Sequence, residues 1–453
     1  MQNFIIKIVT SLIIIIGILF IYIVKKKKKN NLIINDTFWI FISWGGSLAC
    51  YCFFGLSYPI ELSLNVFGYI LLCWLCYFLG KGVYKIFPKK QNIMLENNSN
   101  IVEPEVRFDI KYNLFPYFVI SLISVILYVS YILLINRNIV LGTTRNINTN
   151  FIATLLLLMS QSSLIIWLYE LLYAILNKKK ITWYGLLSVI IYNLPGIIIS
   201  GRDALIIFFL SSFIAIIYGI NYLKYSKKTN KKLRKKMIRM AIVVIIIILF
   251  YLIFLSNNRY GNDYDAVINM FSWASGVTFP DYLIKFYNYA GGVGKLVLNI
   301  IFYYSSQFSK LALVFNNYNG PYEYGFYQLH YIARMLPDSW NLGLTPVSIE
   351  LSNIVNNVSL PGIKVLWETM IGYSLYDFGK IGTLIYFFII GFIIQRIIVK
   401  NSYNVNILKI ITRIFICVAM FITVEISPFF DYFYVFPLIW LIIIKNMKGK
   451  VKK

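Results

Sequence analysis

Apolar runs long enough to cross a bilayer recur along this chain, and most of them end in a cluster of lysines or arginines on one side. A helix needs about 20 consecutive apolar residues to cross the hydrocarbon core. A chain that carries such runs one after another has nowhere in water to bury them. With 453 residues, 59% of them hydrophobic and only 13% charged, and a mean hydropathy of +0.71, a water-soluble globule is excluded. The expected class is an all-α polytopic integral membrane protein. The formal net charge of +25 is a topology signal first, because the basic residues sit in short clusters beside apolar runs. Attraction to anionic lipid headgroups comes second, and nucleic acid is not an expected partner. Cys50, Cys52, Cys73, Cys76 and Cys417 all fall within apolar runs, so no disulfide framework is expected outside them. Cys73 and Cys76 have the spacing of a redox or zinc pair but read as packing residues in mid-membrane. The single histidine, His330, excludes a multi-histidine metal site; no metal and no cofactor are expected.

The basic clusters set the direction of each span, because lysine and arginine in short loops stay in the cytoplasm. Residues 3–24 form the first run, and Lys25 to Lys29 hold its end inside, which puts the N-terminus outside. Neither the charges nor the cleavage site of a signal peptide is present. Residues 38–56 go out and 59–79 return, with Ser57-Tyr58-Pro59 as a tight outer turn, and 80–113 form a polar cytoplasmic loop. Runs 114–136 and 151–176 enclose an outer loop with Arg137 and Arg145 and end at Lys178 to Lys180. Glu170, toward the cytoplasmic end of its run, reads as a structural partner. The pair around Arg202 follows, then a cytoplasmic loop, 223–239, then an outward span from Met240 to Ser256. Runs 381–399, 410–426 and 432–444 lead to a lysine-rich tail, with Tyr432, Phe433, Tyr434 and Phe436 suited to an aromatic belt. The expectation is about eleven transmembrane helices, N-terminus out and C-terminus in. About eight of them lie within 1–256, and the remaining spans and the basic tail within 380–453.

Between them, 257–379 lacks any clean span and reads as one large external loop domain. Its stretch 296–315 is apolar but interrupted by Asn299, Ser305, Ser306, Gln307 and Lys310, as expected of a helix lying in or dipping into the membrane interface. A second such helix is expected at 363–376. No internal repeat or inverted symmetry of the transporter kind is visible.

Candidate chemistry gathers on the outer side. Ser200-Gly201-Arg202-Asp203 is the whole loop between two apolar runs, and a guanidinium there can grip phosphate or carboxylate at headgroup depth through two oxygens at once. The alternative is an arginine paired with Asp203 or reaching lipid phosphates. Arg259 stands just beyond another outer helix end, and Arg145 in the earlier outer loop. His330 and Arg334 are four residues apart and share one face if helical, so His330 is a candidate general base beside an anion ligand. Glu425, near the outer end of its run with Asp431 beyond it, is the alternative base or an arginine partner. Asp263-Tyr264-Asp265 has the spacing of a metal-bridging pair but reads as a polar loop.

Ser200-Gly201-Arg202-Asp203-Ala204-Leu205 opening a helix, the large late outer loop, and Leu375-Tyr376-Asp377-Phe378-Gly379-Lys380-Ile381-Gly382 leading into the next run together resemble the Wzy-type polysaccharide polymerases, the O-antigen and capsule repeat-unit polymerases of bacteria. Topology carries more of this resemblance than the short motifs, and it covers nearly the whole chain. It implies a glycosyltransferase in the plasma membrane with its site on the external face. A growing glycan would pass from polyprenyl pyrophosphate to the next lipid-linked unit, without a metal. Arg202, Arg259, Arg334 and Arg145 would hold pyrophosphate, with His330 or Glu425 as base. Membrane lipids are implied as partners, with room for a chain-length regulator and a flippase. Some members carry Arg followed eleven positions later by Gly; here position 213 is Phe and position 345 is Thr. O-antigen ligases are similar in layout and stay open as an alternative. A transferase using polyprenyl monophosphate sugars should show acids in its first outer loop, where only Glu61 stands. A lipid-linked oligosaccharide flippase or other transporter should have short loops.

Overall fold

A computed structural model of the protein describes residues 2–26, 32–86, 112–135, 151–177, 179–198, 203–225, 239, 264–320, 322–329, 369–402 and 406–446. Among these, regular structure is helical; no strand forms, and extended backbone pairs only at one bridge, Ser57 with Thr278. The helices are α1 (Gln2–Lys26), α2 (Asp36–Ile40), α3 (Gly46–Phe53), α4 (Leu64–Ile86), α5 (Phe115–Ile135), α6 (Phe151–Ser160) and α7 (Ser162–Asn177). They continue with α8 (Trp183–Ile198), α9 (Asp203–Tyr225), α10 (Tyr264–Ser275), α11 (Asp281–Asn317), α12 (Met370–Ser402), α13 (Ile407–Ile422) and α14 (Tyr432–Asn446).

Nearly every side chain of α7 is buried, as befits a helix apolar on all sides, and α5, α8, α9, α13 and α14 pack around it. Polar contacts stitch this bundle where a bilayer would offer none. The Trp167 indole donates to Ser212 Oγ at 2.8 Å, the Tyr192 hydroxyl to the Phe433 carbonyl at 3.0 Å, and the Trp440 indole to the Leu158 carbonyl at 2.7 Å. Glu170 is buried and accepts from Thr182 Oγ1 at 3.0 Å and the Tyr184 hydroxyl at 2.9 Å, bonding the chain where α8 begins. Its expected structural role is what the geometry gives it.

The most extensive helix pair is α4 with α12, and two glycines explain how close it comes. A methyl group at Gly80 would meet the Phe388 carbonyl oxygen at 2.0 Å, and one at Gly391 the Tyr77 carbonyl oxygen at 2.0 Å. Backbone therefore lies directly on backbone, the small-residue packing that apolar helices use when lipid supplies no hydrophobic drive. Beside this crossing Lys81 Nζ lies 2.5 Å from Asp36 Oδ2, and the Tyr77 hydroxyl donates to the same oxygen. A buried carboxylate with two donors ties α2 to α4.

Away from these contacts the surface is aliphatic. Ile381, Ile385, Ile389 and Ile393 run down one exposed face of α12, Leu71, Leu72, Leu75 and Leu79 down α4, and Ile123, Ile126 and Leu127 down α5. Water does not tolerate stripes of this kind. Five helical stretches are long and apolar enough to cross a membrane: Leu64–Ile86, Phe115–Leu134, Phe151–Asn177, Asp203–Tyr222 and Met370–Lys400. Ile5–Leu19, Trp183–Ile198 and Tyr432–Asn446 are shorter apolar helices. The run 240–256 lies outside the described residues.

Several expectations are corrected. The run 38–56 is not one regular helix: α2 and α3 are joined by a π-helical turn, Phe41–Gly45. The return helix begins at Leu64 rather than 59 and continues to Ile86 rather than 79. Tyr264 and Asp265 open α10 instead of lying in a polar loop. The stretch 296–315 belongs to α11, which breaks at Gly291 (φ 54°, ψ −125°). Its interrupting residues Asn299, Ser305, Ser306 and Gln307 are buried against protein rather than set at an interface. Three of them bond a carbonyl one turn back or a neighbouring side chain: Asn299 Nδ2 donates to the Lys295 carbonyl at 2.8 Å, Gln307 Nε2 to that of Tyr303 at 3.2 Å, and Ser305 Oγ bonds the Tyr58 hydroxyl at 2.7 Å. Of the second expected helix, 363–376, residues 370–376 are the buried start of α12, and 363–368 lie outside the described residues.

The glycine crossing yields a direct test. Gly80→Ala or Gly391→Ala should force α4 and α12 apart and cost about 1–3 kcal/mol. Gly68→Ala, on the same helix as Gly80 with open space around it, should be neutral or slightly stabilising. Thermal unfolding of the detergent-solubilised protein, followed by size-exclusion chromatography, checks all three.

Candidate functional site

The turn between α13 and α14 is anchored by polar bonds from several elements. The Trp44 indole, carried by the π-helical turn, donates to Thr423 Oγ1 at 2.9 Å, and Ser43 Oγ to the Met420 carbonyl at 3.2 Å. The Met370 amide at the start of α12 donates to the Thr423 carbonyl at 2.8 Å. From the other side Gln328 Oε1 accepts from Ser427 Oγ at 2.5 Å and from the Tyr386 hydroxyl at 3.0 Å. Three separate parts of the chain thus fix one nine-residue connection, 423–431.

That connection carries Glu425 and Asp431. Both line a small pocket with Asp203, closed by Ile206, Ile207, Ile422 and Ile426. Asp203 is the first residue of α9 and follows Arg202 directly in the sequence. Asp431 caps α14, its Oδ1 accepting from the Phe433 amide at 2.9 Å. Burial pushes its carboxyl well above the usual range, with the Asp203 and Glu425 charges adding to the rise and the amides of Phe433 and Tyr434 opposing it. Two like charges and a dry setting win over the helix terminus.

A second device meets this one. At Gly379 (φ 64°, ψ −173°) α12 breaks, and the turn 322–329 docks against the break. The Glu323 amide donates to the Tyr376 carbonyl at 3.2 Å and the Tyr324 amide to the Asp377 carbonyl at 2.9 Å. The fully buried Asp377 carboxylate takes three more amides: Gly325 at 2.8 Å, Tyr327 at 2.9 Å and Gln328 at 3.3 Å. A ring of backbone N–H groups closed on a carboxylate is a strong local tie. Glycine is required at 379 twice over, because its φ is left-handed and a Cβ there would meet the Tyr322 ring at 2.8 Å.

Of the residues singled out from sequence, Glu425 is in the pocket. Arg145, Arg202, Arg259, His330 and Arg334 lie outside the described residues. Sequence reasoning missed Asp203 as a pocket residue, giving it only as a partner for Arg202; it named Asp377 only within the stretch leading into the next run, and gave Gln328 no role. The signal for Asp377 was its place beside a glycine in the Asp-Phe-Gly stretch, where a helix can break. Gln328 gave none, since its partners are distant in sequence. Among the described residues no three His, Cys, Asp or Glu side chains form a group that could hold a metal ion. Among them too, all five cysteines are free.

Aliphatic stripes outside and a polar, carboxylate-lined turn inside define the class: an all-α protein fit for a membrane. Compared with protein-family models, with curated proteins and with solved structures, the chain matches none.

Two outcomes follow from the carboxylates. Asp377→Asn keeps one acceptor but turns an amide toward N–H groups, and Asp377→Ala leaves three buried amides without their acceptor. Losses of about 1–3 kcal/mol per unsatisfied group are expected, read by thermal unfolding, with Ala worse than Asn. Asp431 has a raised folded pKa, so the stability linked to its proton is full below the unfolded value of about 3.9 and is lost as pH rises through the folded one. Asp431→Asn keeps a cap and cannot ionise. Its melting temperature should gain on that of the unsubstituted protein as pH rises from about 4, and an unchanging gap would contradict the assignment.

Proposed function

We propose that the protein polymerises lipid-linked oligosaccharide repeat units, transferring a growing glycan from polyprenyl pyrophosphate to the next lipid-linked unit. The observation that carries this reading is the meeting of Glu425 with Asp203 in one pocket, because Asp203 is the sequence neighbour of Arg202. A base and an anion-binding cation at the same helix ends are what the reaction needs. The acceptor hydroxyl attacks the anomeric carbon and its proton passes to Glu425 or His330. The bond from that carbon to the pyrophosphate oxygen breaks, and polyprenyl pyrophosphate leaves with the electron pair. Arg202, Arg259, Arg334 and Arg145 spread the charge of the leaving group, as preorganised donors do. No metal takes part on this reading.

The reading includes about eleven transmembrane helices, with the N-terminus outside, the C-terminus in the cytoplasm, and the segment 257–379 on the external face of a bacterial plasma membrane. The short helices α8, α13 and α14 then span as well, α13 as an inner member of the bundle and α8 with Trp183, Leu186 and Ile190 turned outward. The substrate is polyprenyl pyrophosphate-linked oligosaccharide, in contact with membrane lipids, and a chain-length regulator and a flippase are the protein partners that fit.

The test is deletion and complementation with Arg202→Ala, Arg259→Ala, Arg334→Ala and Glu425→Gln, each checked for membrane expression. Surface glycan should shorten to single repeat units while single-unit lipid carrier accumulates. Accumulation of full-length polymer still on its carrier would instead mark a ligase, and unchanged chain lengths in all four variants would overturn the site.

A further inference from the structure

The first part of α11, residues 281–290, is a helix in its own right, set off from 292–317 by the break at Gly291. Its inner face is settled. Leu283 and Tyr287 are buried in a small cluster with Phe271, Phe302 and Tyr58. Its outer face is not covered by protein: Tyr282 is 53% exposed, Phe286 40% and Tyr289 94%. Spacings of four and three place these three rings on one side of the helix, and Lys285, also exposed, lies beside them.

Where this helix sits decides what it faces. The Tyr282 hydroxyl donates to the Phe54 carbonyl at 2.6 Å, and the Ser57–Thr278 pair binds the strand-like approach to α11 through amides at 3.2 and 2.9 Å. Both contacts are to the connection between α3 and α4. The helix is therefore pinned at the level where one apolar hairpin turns. Phe53 and Leu64, exposed at the two ends of that connection, extend the same apolar surface toward the lipid-facing stripe of α4. Tyrosine and phenylalanine with a neighbouring lysine make up the composition that bilayer boundaries select, the rings at headgroup depth and the ammonium reaching to phosphate.

We propose that the Tyr282–Phe286–Tyr289 face of α11 rests in the headgroup–acyl boundary of the bilayer, with Lys285 on lipid phosphate. On this proposal 281–290 is an interfacial helix, and it lies N-terminal to the stretch 296–315. The assignment does not depend on the polymerase reading, since it uses only packing, exposure and position relative to the α3–α4 turn.

Single cysteines at Phe286, Tyr289 and, as the control on another exposed face, Asn288 can carry a methanethiosulfonate nitroxide. Cys52, Cys73 and Cys417 are buried and Cys50 and Cys76 half-buried, so the unsubstituted protein gives the background labelling. The full chain is reconstituted in vesicles of phosphatidylcholine and phosphatidylglycerol, and power saturation compares collision with oxygen and with a water-soluble nickel chelate. Labels at 286 and 289 should favour oxygen over nickel several-fold more than the label at 288. Equal, water-like values at all three positions would overturn the proposal, and so would exclusion of both reagents from 286 and 289, which would mean a protein covers the face. Tyr289→Cys removes a side chain with almost no contacts, so that variant folds and carries the test if Phe286→Cys does not.

Discussion

Everything else in this structure is arranged around two glycines that let α4 and α12 touch backbone to backbone. In a bilayer, lipid tails compete for apolar surface as well as any leucine does, so helices hold together through close packing and through polar bonds they cannot make elsewhere. Gly80 and Gly391 supply the first and the Asp36–Tyr77–Lys81 contact the second, within one turn of each other on α4. The consequence is felt far along α12. Once α12 is fixed against α4, the break at Gly379 has a fixed place, and the carbonyls of Tyr376 and Asp377 before it are presented to the segment 322–329. A packing constraint in the apolar part of the molecule thus positions the polar turn that Gln328 joins to Ser427.

The same economy appears in how polar residues are used. Asn299, Ser305 and Gln307 lower the hydropathy of α11 enough to disguise it, yet inside the protein each donates to a carbonyl one turn back or bonds a neighbouring side chain. The π-helical turn at Phe41–Gly45 works the other way. It spoils the regular ladder of a short helix, and Trp44 and Ser43 within it bond the end of α13. A local irregularity in one helix becomes the support of the turn that bears Glu425.

What could be read from the chain follows from this. The run 114–136 was legible because hydropathy and flanking charge both report on lipid exposure, and α5 does show aliphatic side chains outward, whereas α9, equally apolar, has its described side chains buried or half-buried. Helix α11 was misplaced because hydropathy treats a buried serine and a solvated one alike. The exchange of one regular span for α2, a π-helical turn and α3 had no pattern to announce it. For the site, Glu425 was legible as an ionisable residue at a helix end, and Asp203 was in view only as a neighbour of Arg202. Their meeting was not legible, because it depends on how α9 and α13 pack about α7, a matter of side-chain shape rather than of period or charge.

The pocket itself sets a condition on any function. Asp203, Glu425 and Asp431 gather three carboxyl groups, with isoleucines around them, in a chain whose net charge is +25. Burial, with the Asp203 and Glu425 charges beside it, raises the affinity of Asp431 for its proton. On the proposed reading the acceptor's proton passes to Glu425, which shares its pocket with Asp203, the sequence neighbour of Arg202.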